Sequence, residues 1–202
     1  MKDAQSAQAF GRTNWRRFAV AVGVPTVVAG GLVLALAEGA LAANFTIAGE
    51  QFKLSASKLV GEGFTQYNGD LETRDGTTTA AMSGIESATL NDLCQSVAVG
   101  PVTLRIEAGD DPEHPVTASN LLIGMSSLGG DATFEEIQIG LDAATLDRAQ
   151  DEAKGDPGAF GQQAKKVTII NLRQQAYYTS ASTFTLNGMS LKLHVSGKHE
   201  CY

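Results

Sequence analysis

From Phe18 to Ala37 the chain runs 20 residues without a charge, and this stretch decides which part of the 202 residues can form a folded domain. As a helix the stretch would be about 30 Å long, the thickness of a bilayer core. Lys2, Arg12, Arg16 and Arg17 precede it against one acid, Asp3. Basic flanks stay in the cytoplasm, so the N-terminus is expected inside and everything after the run outside. The length suits a retained anchor that would hold the protein to the membrane through residues 18–37. The small residues Ala40-Leu41-Ala42 suit a cleaved signal peptide, with the cut between Ala42 and Ala43. Both outcomes stay open, and both give an export or anchor segment over 1–42 and an exported domain over 43–202. Arg16-Arg17 fits a twin-arginine export signal and equally a plain basic leader.

The exported 160 residues are enough for one domain with a real core. They carry 11 basic and 20 acidic residues, a net charge of −9. Without a basic cluster such a domain is a poor match for nucleic acid or for anionic lipid, so any lipid contact would have to be apolar. The two cysteines, Cys94 and Cys201, read as a disulfide in an exported chain. The other reading is a pair of free thiols, one used for chemistry. Neither cysteine lies in a C-x-x-C pair or beside a histidine that would activate it, apart from His199 in the tail.

Hydrophobic alternation in the exported part is mostly of period two, which means strand. Phe45 and Ile47 begin one strand. Phe52, Leu54 and Ala56 alternate with polar neighbours in another, and Val102, Leu104 and Ile106 in a third. Further strands are expected over 81–90, 93–99, 116–124 and 166–172. Asn68-Gly69 predicts a two-residue hairpin, because both central residues of a type I′ turn need positive φ, and the parity change across Asn187-Gly188 predicts a two-residue hairpin or a bulge. The segments 71–79 and 154–163 read as loops, and 109–112 as a turn. A parity change at Glu135-Glu136 predicts a bulge. Asp142 is placed to cap a short helix over 143–153. The fold class expected is mainly β: one antiparallel domain of eight to ten strands, a sandwich or half-open roll with an irregular β-solenoid as the alternative, preceded by the N-terminal hydrophobic helix.

Catalytic and metal motifs are sparse. A hydrolase elbow needs G-x-S-x-G, and Gly124-Met125-Ser126-Ser127-Leu128 lacks the second glycine. His114, His194 and His199 do not have zinc-site spacing. The acidic stretch Asp110-Asp111-Pro112-Glu113-His114, and Asp70, Glu72 and Asp75, could hold a hard cation but lack an EF-hand pattern and read as solvated turns. Asn44-Phe45-Thr46 matches a glycosylation sequon. No catalytic residue, cofactor-binding residue or metal ligand is assigned, and no cofactor is expected.

With the twin-arginine leader, the Leu93-Cys94-Gln95-Ser96 segment and the Gly/Thr-rich strands, the chain resembles an uncharacterised actinobacterial family of exported proteins often labelled "cholesterol esterase". The resemblance implies an envelope or secreted location and a membrane-protein partner. It supplies no site residues. The function expected first is non-enzymatic binding of a lipid or other apolar molecule, since small inward-facing residues would leave room for acyl chains. A structural or adhesive envelope component is the alternative, and an esterase-type hydrolase comes third. A large dry cavity would favour the first, and a filled core with exposed edges the second.

Overall fold

The computed structural model describes residues 51–73, 76–99, 101–195 and 199–202. The apolar run 18–37, the cleavage pair Ala42 and Ala43, the sequon at Asn44 and the strand expected at Phe45 lie outside these residues. Among the described residues no helix is long and apolar enough to cross a membrane.

Among the described residues nine antiparallel strands form one sheet: β1 (Phe52–Thr73), β2 (Gly76–Asn91), β3 (Leu93–Val99), β4 (Val102–Ala108), β5 (Val116–Glu135), β6 (Gln138–Asp142), β7 (Phe160–Ser180), β8 (Thr183–Thr185) and β9 (Ser190–Val195). The sheet closes on itself, because β1 pairs with β2 and β7, and β5 also pairs with β2 and β7. A walk through paired residues goes from Asn68 to Ala81, Met125, Ala176 and Phe52, and so returns to β1 16 residues upstream of its start. So large a stagger over four strands tilts them steeply around a narrow barrel. Strands β3, β4 and β9 leave the barrel as a three-stranded extension.

Strands this long, 22 residues in β1 and 21 in β7, must bend, and residues with positive φ break their regular alternation at two levels. Ser57 faces Asp92 on one neighbour and Asn171 on the other, and both have positive φ, 51° and 54°. Gly63 faces Glu86 and Lys165. Glu86 in turn faces Asn120, with φ 50°. The register is kept across each level, but the side chains that point inward change parity there. In β5 the buried set changes from Val116 and Ala118 to Leu121, Ile123 and Met125 across Asn120. Because neighbouring strands flip at the same level, the apolar core stays continuous from Leu54 through Phe64 to Ala176. A second cluster forms on the outer side, where Ala143 and Leu146 cover Tyr67, Ala80 and Met82. There Thr65 donates from Oγ1 to the Ala153 carbonyl at 3.1 Å, and burial pushes the Tyr67 hydroxyl above its ordinary range.

At Glu135-Glu136, where a bulge is expected, Glu136 has φ 53° and separates β5 from β6, while pairing with β7 resumes in the same register, from Glu135–Lys166 to Gln138–Gln163. Several local expectations are corrected. Asn68-Gly69 is not a hairpin turn: both residues lie inside β1, paired with Ala81 and Ala80, and the hairpin closes between Thr73 and Gly76. The loop expected over 71–79 is therefore mostly strand. Asn187-Gly188 does turn, but β8 pairs with β5 and β9 with β4, so it links two distant edges instead of forming a hairpin. Asp142 caps only a three-residue 3-10 turn, Ala143–Thr145, accepting from the Ala144 amide. The loop expected up to Gln163 ends at Phe160, where β7 begins.

Candidate functional site

Directly opposite residues in antiparallel strands share a face. Two outward rows follow from the register. One is Arg173, Ser55, Cys94 and Glu107; the other is Gln175, Lys53, Ser96 and Arg105. The C-terminal tail, residues 199–202, lies across these rows. The sulfurs of Cys94 and Cys201 are 2.06 Å apart, so the two cysteines paired in the sequence lie at disulfide distance. The Cys201 amide donates to Ser96 Oγ at 3.0 Å. Lys53 Nζ donates to Glu200 Oε2 at 3.0 Å and to the Tyr202 carbonyl oxygen at 3.1 Å. Lys53 Nζ and Arg173 Cζ sit 5.3 and 5.5 Å from the centre of the Tyr202 ring. Water excluded around that ring pushes the Tyr202 hydroxyl above its ordinary range.

The strapped tail leaves a polar cleft on either side. On the β7 side a cleft of about 640 Å³ is bordered by Ser57, Asp92, Asp131, Asn171, Arg173 and Tyr202. On the β4–β9 side a cleft of about 500 Å³ is bordered by Arg105, Glu107, Asp110 and Lys192. There Lys192, and after it Arg105, hold the Glu107 carboxyl below the usual carboxylate range through hydrogen bonds.

The opposite face of the extension is apolar. Val97, Leu104 and Leu193 form one row across it, and Val99, Val102 and Val195 another. Leu193 and Val195 are 62% and 70% exposed, and among the described residues β9 is an edge strand of the sheet. An apolar sheet face that stays in water marks a contact surface. Replacing Leu191 and Leu193 with threonine puts β-branched residues suited to a strand in their place while removing the apolar tips. The change is expected to shift stability by less than about 0.5 kcal/mol, as exposed sites do, and to lower fluorescence of a bound apolar dye. A large loss of stability would show that another part of the chain covers this face.

The residues singled out from the sequence do not converge. Ser126 is exposed in β5, with Oγ 3.3 Å from Gln51 Oε1 and 3.4 Å from the Gln175 carbonyl oxygen, so its hydroxyl faces two acceptors and no base. His114 pairs with Asp111 at 2.7 Å on the surface, and this hydrogen bond, followed by the Glu113 amide, holds the Asp111 carboxyl low. His194 is half-buried and stacks on His199 at 4.0 Å between ring centres. Loss of water around His194, then the neighbouring His199, keep it below its ordinary value. Asp70 and Glu72 accept from Thr79 and Thr77 across the β1–β2 ladder. Among the described residues no three metal-ligating side chains come together.

These features define the class: an antiparallel β-barrel module clasped by its own C-terminus. More particularly, residues 48–202 match the model of a family of unknown function, DUF6230, and the chain belongs to that family. Comparison with curated proteins and with solved structures gives no match.

Proposed function

We propose that this protein is a non-enzymatic module of the cell envelope that acts through its outer surface, as a structural or adhesive component. The carrying observation is the filled barrel. The apolar void inside it, between Leu54, Leu121, Leu172 and Phe184, measures about 10 Å³. That is about one water molecule's worth of room, not an acyl chain's. Two polar atoms that lack partners among the described residues, Gln174 Nε2 and Thr179 Oγ1, belong to residues bordering the void. Among the described residues this void gives an apolar guest no room, which favours the outer surface over the interior as the working part. The disulfide-distance pair and the charge bias around residues 18–37 support a location outside the cytoplasm.

The test adds the purified protein to isolated cell envelopes and measures cosedimentation, with organic extraction and mass spectrometry of the purified protein in parallel. The expected result is cosedimentation and no stoichiometric lipid. A stoichiometric lipid in the extract would restore the lipid-binding reading. For hydrolysis, Ser126→Ala is expected to leave ester cleavage at the parent's background rate. A substantial parental rate lost in that variant would support the esterase label instead.

A further inference from the structure

We propose that the cleft on the β7 side of the tail binds a neutral polyhydroxylated ligand, a glycan, with Asp131, Asn171 and Arg173 as its polar contacts and Tyr202 at its rim. The inference rests on the adhesive reading above and names its ligand class.

The argument starts with the backbone. Asn171 and Asp92 both have positive φ and both face Ser57 across the ladder. Gly130, at φ 146°, completes the same tier on β5. Bulges re-aim side chains out of the sheet's regular alternation, and they gather next to binding sites. Here β5 and β7 shift register between Gly129 and Asp131, and this bulge brings residues 129–131 of β5 and 171–173 of β7 to one side of the cleft.

The side chains then select the ligand. Asp92 is engaged, accepting from Ser57 Oγ at 2.5 Å. The Asp131 carboxylate and the Asn171 amide have no hydrogen-bond partner among the described residues. Among the described residues the Arg173 guanidinium meets only the Tyr202 ring. An acceptor, an amide that both donates and accepts, and a fork of donors are therefore left facing one space of about 640 Å³. Two carboxylates against one guanidinium disfavour a phosphate or sulfate. The absence of a three-ligand cluster among the described residues disfavours a metal ion, and the polar lining disfavours lipid. Vicinal hydroxyls answer every group present, because each hydroxyl donates and accepts. The Tyr202 ring, 38% exposed and fixed by Lys53 and Arg173, offers an apolar edge to the C–H face of a sugar ring.

The experiment titrates the full chain, disulfide intact, with soluble neutral oligosaccharides of glucose, galactose, mannose, arabinose and N-acetylglucosamine, read by calorimetry. A second arm measures retention on insoluble neutral polysaccharide. Asp131→Asn and Arg173→Gln are the test variants, with melting temperature as the folding control and Ser126→Ala as a change outside the cleft. The expected result is binding to at least one neutral glycan, weakened at least tenfold in both variants and unchanged in Ser126→Ala, at equal melting temperature. Binding in the second arm alone would identify an extended polymer as the source. No neutral glycan bound in either arm, or binding that both variants leave intact, would overturn the proposal. Envelope cosedimentation that persists in that event would leave the adhesive role standing and remove only this site. Binding of an anionic oligosaccharide alone, lost in Arg173→Gln, would also overturn it.

Discussion

Replacing Cys94 or Cys201 with serine is expected to lower the melting temperature by about 10–15 °C, from a loss of ~4–5 kcal/mol in a domain of this size. The two residues are 107 apart in sequence. The unfolded chain without the link therefore gains the freedom of a long open loop. The folded state also loses its strap. With Cys201 unlinked, nothing covalent holds Glu200 and Tyr202 against Lys53 and Arg105. Those charged contacts are half-exposed and contribute little by themselves. Thermal melts of parent and variants, with the parent repeated after reduction by a dithiol, measure the effect. Reduced parent and serine variants should melt together, well below the oxidised parent. Thiol labelling of the native protein should find no free cysteine, and equal melting temperatures with quantitative labelling would show that the bridge does not form.

The alternation in the sequence was enough to locate strand cores, and at β3 it gives the bounds Leu93–Val99 that the fold adopts. It also locates the break between β5 and β6 at Glu136, because a parity change is a local signal. Pairing is not local. The Asn68-Gly69 pair looks like a turn, yet Gly69 is needed for close packing: a Cβ there would lie 2.6 Å from Met82 Cγ. The Asn187-Gly188 turn was visible but its strands' partners were not, since those lie some 70 to 90 residues upstream on β5 and β4. Closure of the barrel by β1 and β7 depends on contacts spanning over one hundred residues, such as Leu54 with Gln174. The cleft was illegible for the same reason. Asp131, Asn171 and Tyr202 have ordinary sequence surroundings, and only the bulge between β5 and β7 and the tail's disulfide bring them together. The cysteine pair itself was readable, because a chain with two cysteines offers one intramolecular pairing.

Gly63→Ala is expected to destabilise the protein by about 2–5 kcal/mol, and Gly158→Ala by only about 1–2 kcal/mol. Both glycines have positive φ, 66° and 82°. An alanine therefore meets the same left-handed backbone penalty at each site. They differ in what the new methyl group touches. At Gly158 nothing lies within 4 Å, whereas at Gly63 a Cβ would sit 2.3 Å from the Arg148 backbone oxygen and 2.9 Å from Glu86 Cβ. A backbone atom cannot swing aside as a side-chain tip can. The methyl group must push the segment 143–159 away from β1, or push β1 away from β2 at the very tier where Gly63, Glu86 and Asn120 bend the barrel. Lifting that segment would uncover Tyr67 and Met82 and break the hydrogen bond from Thr65 to Ala153. Chemical denaturation of the two variants gives the difference directly, with the backbone penalty cancelling to first order. Limited proteolysis adds the location, with faster cleavage within 143–159 expected in Gly63→Ala and not in Gly158→Ala. Equal destabilisation and equal protease resistance would mean that the segment does not rest on Gly63, and that the outer cluster around Tyr67 is held in some other way.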